Sequence, residues 1–128
     1  MATEPVISVG GDAQRSLEDA SGRIFAIREW SGSGPEELHV HHEDDEAWHV
    51  LSGAMRFRFA DREVEAPEGS TVFVPAGVAH TFVALTLDTR YLIILTERLL
   101  SLIGSLSSDQ DRDRKGEIYR AHASEIVD

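Results

Sequence analysis

Residues 38–53 read LHVHHEDDEAWHVLSG, which places four of the six histidines beside four acidic side chains. Imidazoles and carboxylates bind metal ions, so the first question is which of these side chains meet at one point. Successive side chains of a β-strand alternate between faces. His39 and His41 therefore point the same way, and His42 points the other. Beyond the acidic turn, Glu46, Trp48 and Val50 share one face of the next strand, and His49 takes the opposite one. If the two strands pair as a hairpin, His39, His41 and Glu46 converge on one ion. Glu43, Asp44 and Asp45 read as a solvated turn, since a calcium loop needs a longer series of oxygen ligands around a glycine bend.

A fourth ligand lies further on, in GSTVFVPAGVAHTF. Gly69 opens a strand, Pro75 and Gly77 make a turn, and His80 begins the next strand with Phe82 on its face. Three imidazoles and one carboxylate suit one divalent transition metal, Fe, Mn, Ni, Cu, Co or Zn, at bonds of about 2.0 to 2.2 Å. Such a set leaves two positions of an octahedron open to a substrate or to dioxygen. Glu46 has two candidate roles, a permanent ligand and a general base. Trp48, Phe82, Phe57 and Phe73 are candidates for the wall of an apolar small-molecule cavity around the ion, ordinary core being the other reading of each phenylalanine. His122 reads as a packing or solvated residue.

These residues need rigid strands to aim them. RIFAIREW, LHVH, EAWHVLS, AMRFRFA, REVEA, STVFVP, HTFVAL and RYLIILT are short runs rich in β-branched and aromatic residues, separated by Gly, Pro and acidic turns. Strands at this spacing with no helix between them indicate an all-β antiparallel sandwich or barrel. After Leu95 the pattern changes: Leu99, Leu102, Ile103 and Leu106 recur at three and four, which predicts a short helix capped by Thr96 and packed outside the β body. SSDQDRDRKGE reads as a solvated loop or helix start, and EIYRAHASEIV as a second short helix or docked tail.

Composition narrows the rest. A chain of 128 residues is expected to form one domain, residues 1–128, with a barrel over about 20–96 and a helical tail over about 97–128. The formal charge of -11 and the lack of a basic stripe argue against a nucleic-acid or anionic-membrane partner. No cysteine is present, which removes thiolate sites and is compatible with a cytoplasmic protein. MATEPVISVGGD does not read as a signal peptide, and YLIIL is too short to span a bilayer.

Together the two histidine segments resemble the signature motifs of the cupin superfamily. Gly34, His39, His41, Glu46 and Gly53 fill the first motif, with a first spacer one residue shorter than usual; Gly69, Pro75, Gly77 and His80 fill the second, where Ala84 stands at a common Asn position. The resemblance implies a double-stranded β-helix, or jelly-roll barrel, with His39, His41, Glu46 and His80 as ligands, and a homodimer. The EDDEAWHVLSG segment and the SEIV-containing tail are similar to quercetin 2,3-dioxygenase-like members. That similarity implies a metal-dependent dioxygenase acting on an enolizable or aromatic small molecule, with Glu46 accepting its proton. Other readings are a non-redox cupin enzyme, such as an isomerase or decarboxylase, a non-catalytic metal and small-molecule binder, and a barrel whose metal only stabilises the fold.

Overall fold

The computed structural model describes residues 1–8 and 17–128. Residues 9–12, the end of the segment read against a signal peptide, lie outside the described residues. Among those described, no helix is long and apolar enough to cross a membrane.

Among the described residues, nine strands form two sheets: β1 (Ala26–Ser31), β2 (His39–His41), β3 (Glu46–Ser52), β4 (Ala54–Phe59), β5 (Glu63–Pro67), β6 (Thr71–Val74), β7 (His80–Ala84), β8 (Arg90–Leu95) and β9 (Ser124–Ile126). One sheet has the order β1-β8-β3-β6 and the other β5-β4-β7-β2-β9, with antiparallel pairing throughout. Two helices, α1 (Glu97–Ser105) and α2 (Arg112–Ala121), lie between β8 and β9. The result is a mostly β jelly roll in which two sheets share one apolar interior.

Side-chain alternation builds that interior. Met55 and Phe57 of β4 are fully buried between the half-buried Arg56 and Arg58. Tyr91, Ile93 and Leu95 of β8 face the same core, which Trp48 and Val50 of β3 complete. Gly53 joins β3 to β4 at φ +71°, and a Cβ there would lie 2.5 Å from Thr89 Oγ1 and 2.7 Å from Thr89 Cα. Both the left-handed backbone and the close approach of β8's entry exclude a larger residue.

The structure departs from the sequence expectation in three places. The first strand starts at Ala26 rather than Arg23: Gly22 N–H donates to Phe25 O at 2.9 Å in a turn, leaving Ile24 and Phe25 exposed. The strands carrying His39 and Glu46 do not form a hairpin. β2 pairs with β7 and β9, whereas β3 pairs with β6 and β8 in the other sheet. The last segment forms more than a docked tail, because β9 extends the sheet beside β2, with His39 opposite Ile126 and His41 opposite Ser124.

Helix α1 is capped by Thr96, whose Oγ1 accepts from Leu99 N–H at 3.3 Å, and α2 by Asp111, which accepts from Arg114 N–H at 2.8 Å. Leu99 and Leu102 of α1 and Ile118 and Tyr119 of α2 belong to the same buried cluster as the barrel residues. The helices thus pack on the β body from outside while their apolar faces complete its core.

Candidate metal centre

His39 of β2 stands directly opposite His80 of β7, so adjacent strands of one sheet present two imidazoles side by side. His41, two residues along β2, adds a third from the same face. Nitrogen atoms of the three rings lie within 4.8 Å of one another, and all three residues are buried. Glu46 reaches them from the opposing sheet, its Oε1 being 3.3 Å from His41 Nε2 and 3.2 Å from His80 Nε2. Convergence thus comes from two facing sheets, which is why it survives without the expected hairpin.

A second set of contacts fixes the rings. His39 Nδ1 donates to Glu37 O and His80 Nδ1 to Val78 O, each at 2.9 Å. Ser124 Oγ donates to His122 O at 3.0 Å, so it accepts at 2.7 Å from His41 Nδ1. With each Nδ1 committed outward as a donor, each Nε2 is left facing inward, able to donate a proton to Glu46 or to give a lone pair to a metal. Gly77, at φ +89°, donates its N–H to His41 O at 2.7 Å and so ties the turn before His80 to the strand carrying the other two histidines.

The electrostatics agree with that hydrogen bonding. Burial, reinforced by the charges of His80 and His41, lowers the His39 pKa from 6.5 to about 3, so its ring is neutral at ordinary pH. For Glu46, burial pushes upward, but hydrogen bonds from His41 and His80 outweigh it and bring the value from 4.5 down to about 2. Among the described residues, the ion pairs of Glu46 are those with His41 and His80. Three inward nitrogens and a buried carboxylate form a donor set suited to a cation, which would take the place of the protons that His41 and His80 share with Glu46. Adjacent ligands on an octahedral ion with bonds of about 2.1 Å sit about 3 Å apart, close to the observed Glu46 contacts, so the residues fit a divalent metal.

The cluster opens into a cavity of about 660 Å³, of small-molecule size. Trp48 and Phe82 line it, as the sequence suggested. Phe57 and Phe73 do not. Phe57 is fully buried core, 5.1 Å from the Trp48 ring and 5.7 Å from that of Phe82. Phe73 is 63% exposed, because it pairs with Ala47 on the outer face of β3–β6 while Trp48 pairs with Val72 inside. Both faces of TVFV are apolar, so its alternation could not say which side was inward.

The remaining wall comes from residues that the sequence reading did not assign to a site. Leu99 and Leu102 of α1 and Tyr119 of α2 line the cavity, as do Trp30 of β1 and Tyr91 of β8. The leucine stripe of α1 was legible, but only as outside packing. Burial, with a smaller effect from the Glu46 charge, pushes the Tyr91 pKa up to about 12, and burial likewise raises that of Tyr119, with Glu37 and Glu46 adding to it. Both remain phenols.

The other histidines sit where parity put them. His42 is exposed beside Glu125, and His49 contacts Thr71 Oγ1 at 2.7 Å. His122 packs through Ile118 O and Ser101 Oγ. In the acidic run, Asp44 contradicts the reading of a wholly solvated turn: it is 6% exposed and lies 3.2 Å from Arg98 Nε. Arg98 also bonds Glu43 at 2.7 Å, so the turn between His41 and Glu46 is held against the start of α1.

Comparison with known proteins agrees with this architecture. A protein of Streptomyces coelicolor, the uncharacterized SCO3923, is 36% identical over 55 residues, covering 43% of this chain and 52% of its own. The chain thus spans about half the length of that relative. KdgF from Halomonas sp. superposes with a TM-score of 0.54 at 18% identity, over 61% of this chain and 74% of that one. A sugar phosphate isomerase of the cupin superfamily from Silicibacter pomeroyi gives 0.50 at 25% identity, over 59% and 52%. Residues 29–95, which run from β1 through β8 and contain all four converging side chains, match the family model described as Cupin domain. That match covers more than half of the 128 residues, and the chain belongs to the cupin family.

Proposed function

We propose that this protein is a metal-dependent cupin enzyme that acts on an enolizable or aromatic small molecule, with His39, His41, Glu46 and His80 holding one divalent transition metal. One observation carries the reading: three imidazoles, each fixed by an outward Nδ1 bond, meet a buried carboxylate at the inner end of an apolar cavity. When bound, the ion supplies Lewis-acid chemistry and, if it is iron, manganese, nickel, cobalt or copper, access to dioxygen chemistry.

The chain's own residues orient the substrate and exclude water from it. Trp48, Phe82, Tyr91 and the α1 leucines form a largely apolar wall suited to a planar ring. Glu46 is held as a carboxylate, which supports its role as a ligand. Service as a base requires its proton affinity to rise once substrate displaces the histidine contacts. The superposition on a sugar phosphate isomerase favours a second, non-redox reading. Against a phosphate substrate, the basic residue lining the cavity, Lys115, is already 3.3 Å from Glu37 Oε1. A dioxygenase-like reaction on an uncharged or enolic ring is therefore the preferred reading, in one domain that unites barrel and tail. We extend the proposal to a cytoplasmic homodimer.

Metal analysis of protein purified without chelators is expected to give one equivalent per chain, lost in His39→Ala and His80→Ala. An oxygen electrode with flavonols and diketones is then expected to record uptake. Full metal retention in both variants would overturn the ligand assignment. A loaded protein with no uptake for any redox metal would leave the isomerase-type reading.

A further inference from the structure

Charged side chains in a largely apolar cavity wall cost desolvation, so their presence there calls for a reason. Among the described residues that line the cavity, Lys115 of α2 carries a positive charge, against the acids Glu36, Glu37 and Glu46. Glu46 belongs to the histidine cluster and Glu36 is exposed, which leaves Lys115 and Glu37 as a pair within the wall. Lys115 Nζ lies 3.3 Å from Glu37 Oε1, and the two side chains are 20% and 15% exposed. Both line the cavity and neither is sealed, so a ligand atom can reach either group. The pair also keeps hydrogen-bonding capacity in reserve. An ammonium has three N–H donors and a carboxylate two oxygens. Among the described residues, the bond from Nζ to Oε1 is the one these two groups make, so two donors and Oε2 remain free. Glu37 stands two residues before His39, and its carbonyl accepts the His39 Nδ1 hydrogen at 2.9 Å, so the pair adjoins the histidine cluster on the α2 side.

We propose that Glu37 and Lys115 together form a charge filter in the cavity, a subsite that takes an uncharged hydroxyl and turns away carboxylates and amines. A hydroxyl both accepts and donates, so it takes an N–H bond from Lys115 while giving its own hydrogen to Glu37 Oε2. A carboxylate gains Lys115 but sets its charge beside Glu37, in a cavity that Glu46 already makes acidic. An ammonium gains Glu37 but meets Lys115. Against an apolar wall such like-charge contacts are poorly screened, and the repulsion selects as strongly as the attraction. Each residue therefore masks the other: Glu37 hides an anion site, and Lys115 hides a cation site. The assignment rests on the reading of the cavity as the substrate site, and no metal takes part in it. Glu37 lies within the matched residues 29–95 and Lys115 outside them, so the filter is shared between the family core and the C-terminal segment.

The test uses the full chain at neutral pH and three probes of one shape, 2-naphthol, 2-naphthoate and 2-naphthylmethylammonium, in equilibrium dialysis. The wild type is expected to bind 2-naphthol about tenfold tighter than either ion. Glu37→Gln is expected to bind 2-naphthoate about tenfold tighter than the wild type does and the ammonium probe more weakly; Lys115→Met is expected to do the reverse. A pair that served structure alone would weaken all three probes together on mutation. Equal wild-type affinities for the three probes, or variants in which the two ions shift the same way, would overturn the filter. Each variant carries the test by itself should the other fail to fold. If no probe saturates the wild type, the reading of the cavity as a small-molecule site fails and the filter falls with it. If the probes bind and the variants leave their order unchanged, the filter alone fails.

Discussion

Ser124 is the side chain whose position in the sequence says least about its place in the structure: it lies 83 residues beyond His41 yet accepts its Nδ1 hydrogen. Partners of this kind set the tautomer and basicity of a ligating histidine, and their loss commonly lowers metal affinity about 10- to 100-fold. Ser124→Ala is expected to fall in that range in a chelator competition, while Ser124→Thr retains the hydroxyl and recovers part of the loss. The same cluster predicts a pH dependence. In metal-free protein, His39 binds its proton near pH 3 when folded but near 6.5 when unfolded, so the unfolded chain takes up protons first as pH falls. Stability should decline from pH 6.5 towards 3, and between 4.5 and 2 the lowered Glu46 value acts in the same direction. His39→Gln is expected to flatten the upper part of that decline in urea titrations at fixed pH.

Among the elements, α1 answers most directly to mutation. Leu99 is fully buried and lines the cavity, so Leu99→Ala is expected to cost about 2 to 5 kcal/mol in denaturant unfolding and to enlarge the pocket. The residue spacing that makes this helix was legible in the sequence, as were the strands, the two inward histidines of β2, and the turn that delivers His80. Alternation alone decides which side chains share a face, and turn residues decide where a strand begins. Pairing between strands distant in sequence has no such local signal. Hence Glu46 was correctly grouped with His39 and His41, but on the assumption of a hairpin that the sheets replace with an approach from opposite sides. For the same reason β9 and Ser124 could not be read from SEIV, and the inward face of TVFV could not be chosen.

At the scale of the molecule, a groove on the outer face is bordered by Ile24, Phe25 and Phe73, which are 78%, 54% and 63% exposed. If two copies associate as proposed, these side chains are the apolar surface most in need of cover. Phe25→Asp combined with Phe73→Asp is then expected to shift the mass seen in light scattering towards one chain of 14.1 kDa, with metal content unchanged. An unaltered mass would place the contact elsewhere. The segment after β8 has a different kind of reach. It supplies a wall through Leu99 and Tyr119, a ring anchor through Ser124 and the sheet neighbour of the strand that bears His39 and His41. The converging side chains and part of the cavity wall thereby lie on separate lengths of chain. Exchange of residues 97–128 between related barrels offers a route to new substrates that leaves the four converging side chains in place, provided the incoming segment brings a hydroxyl for His41.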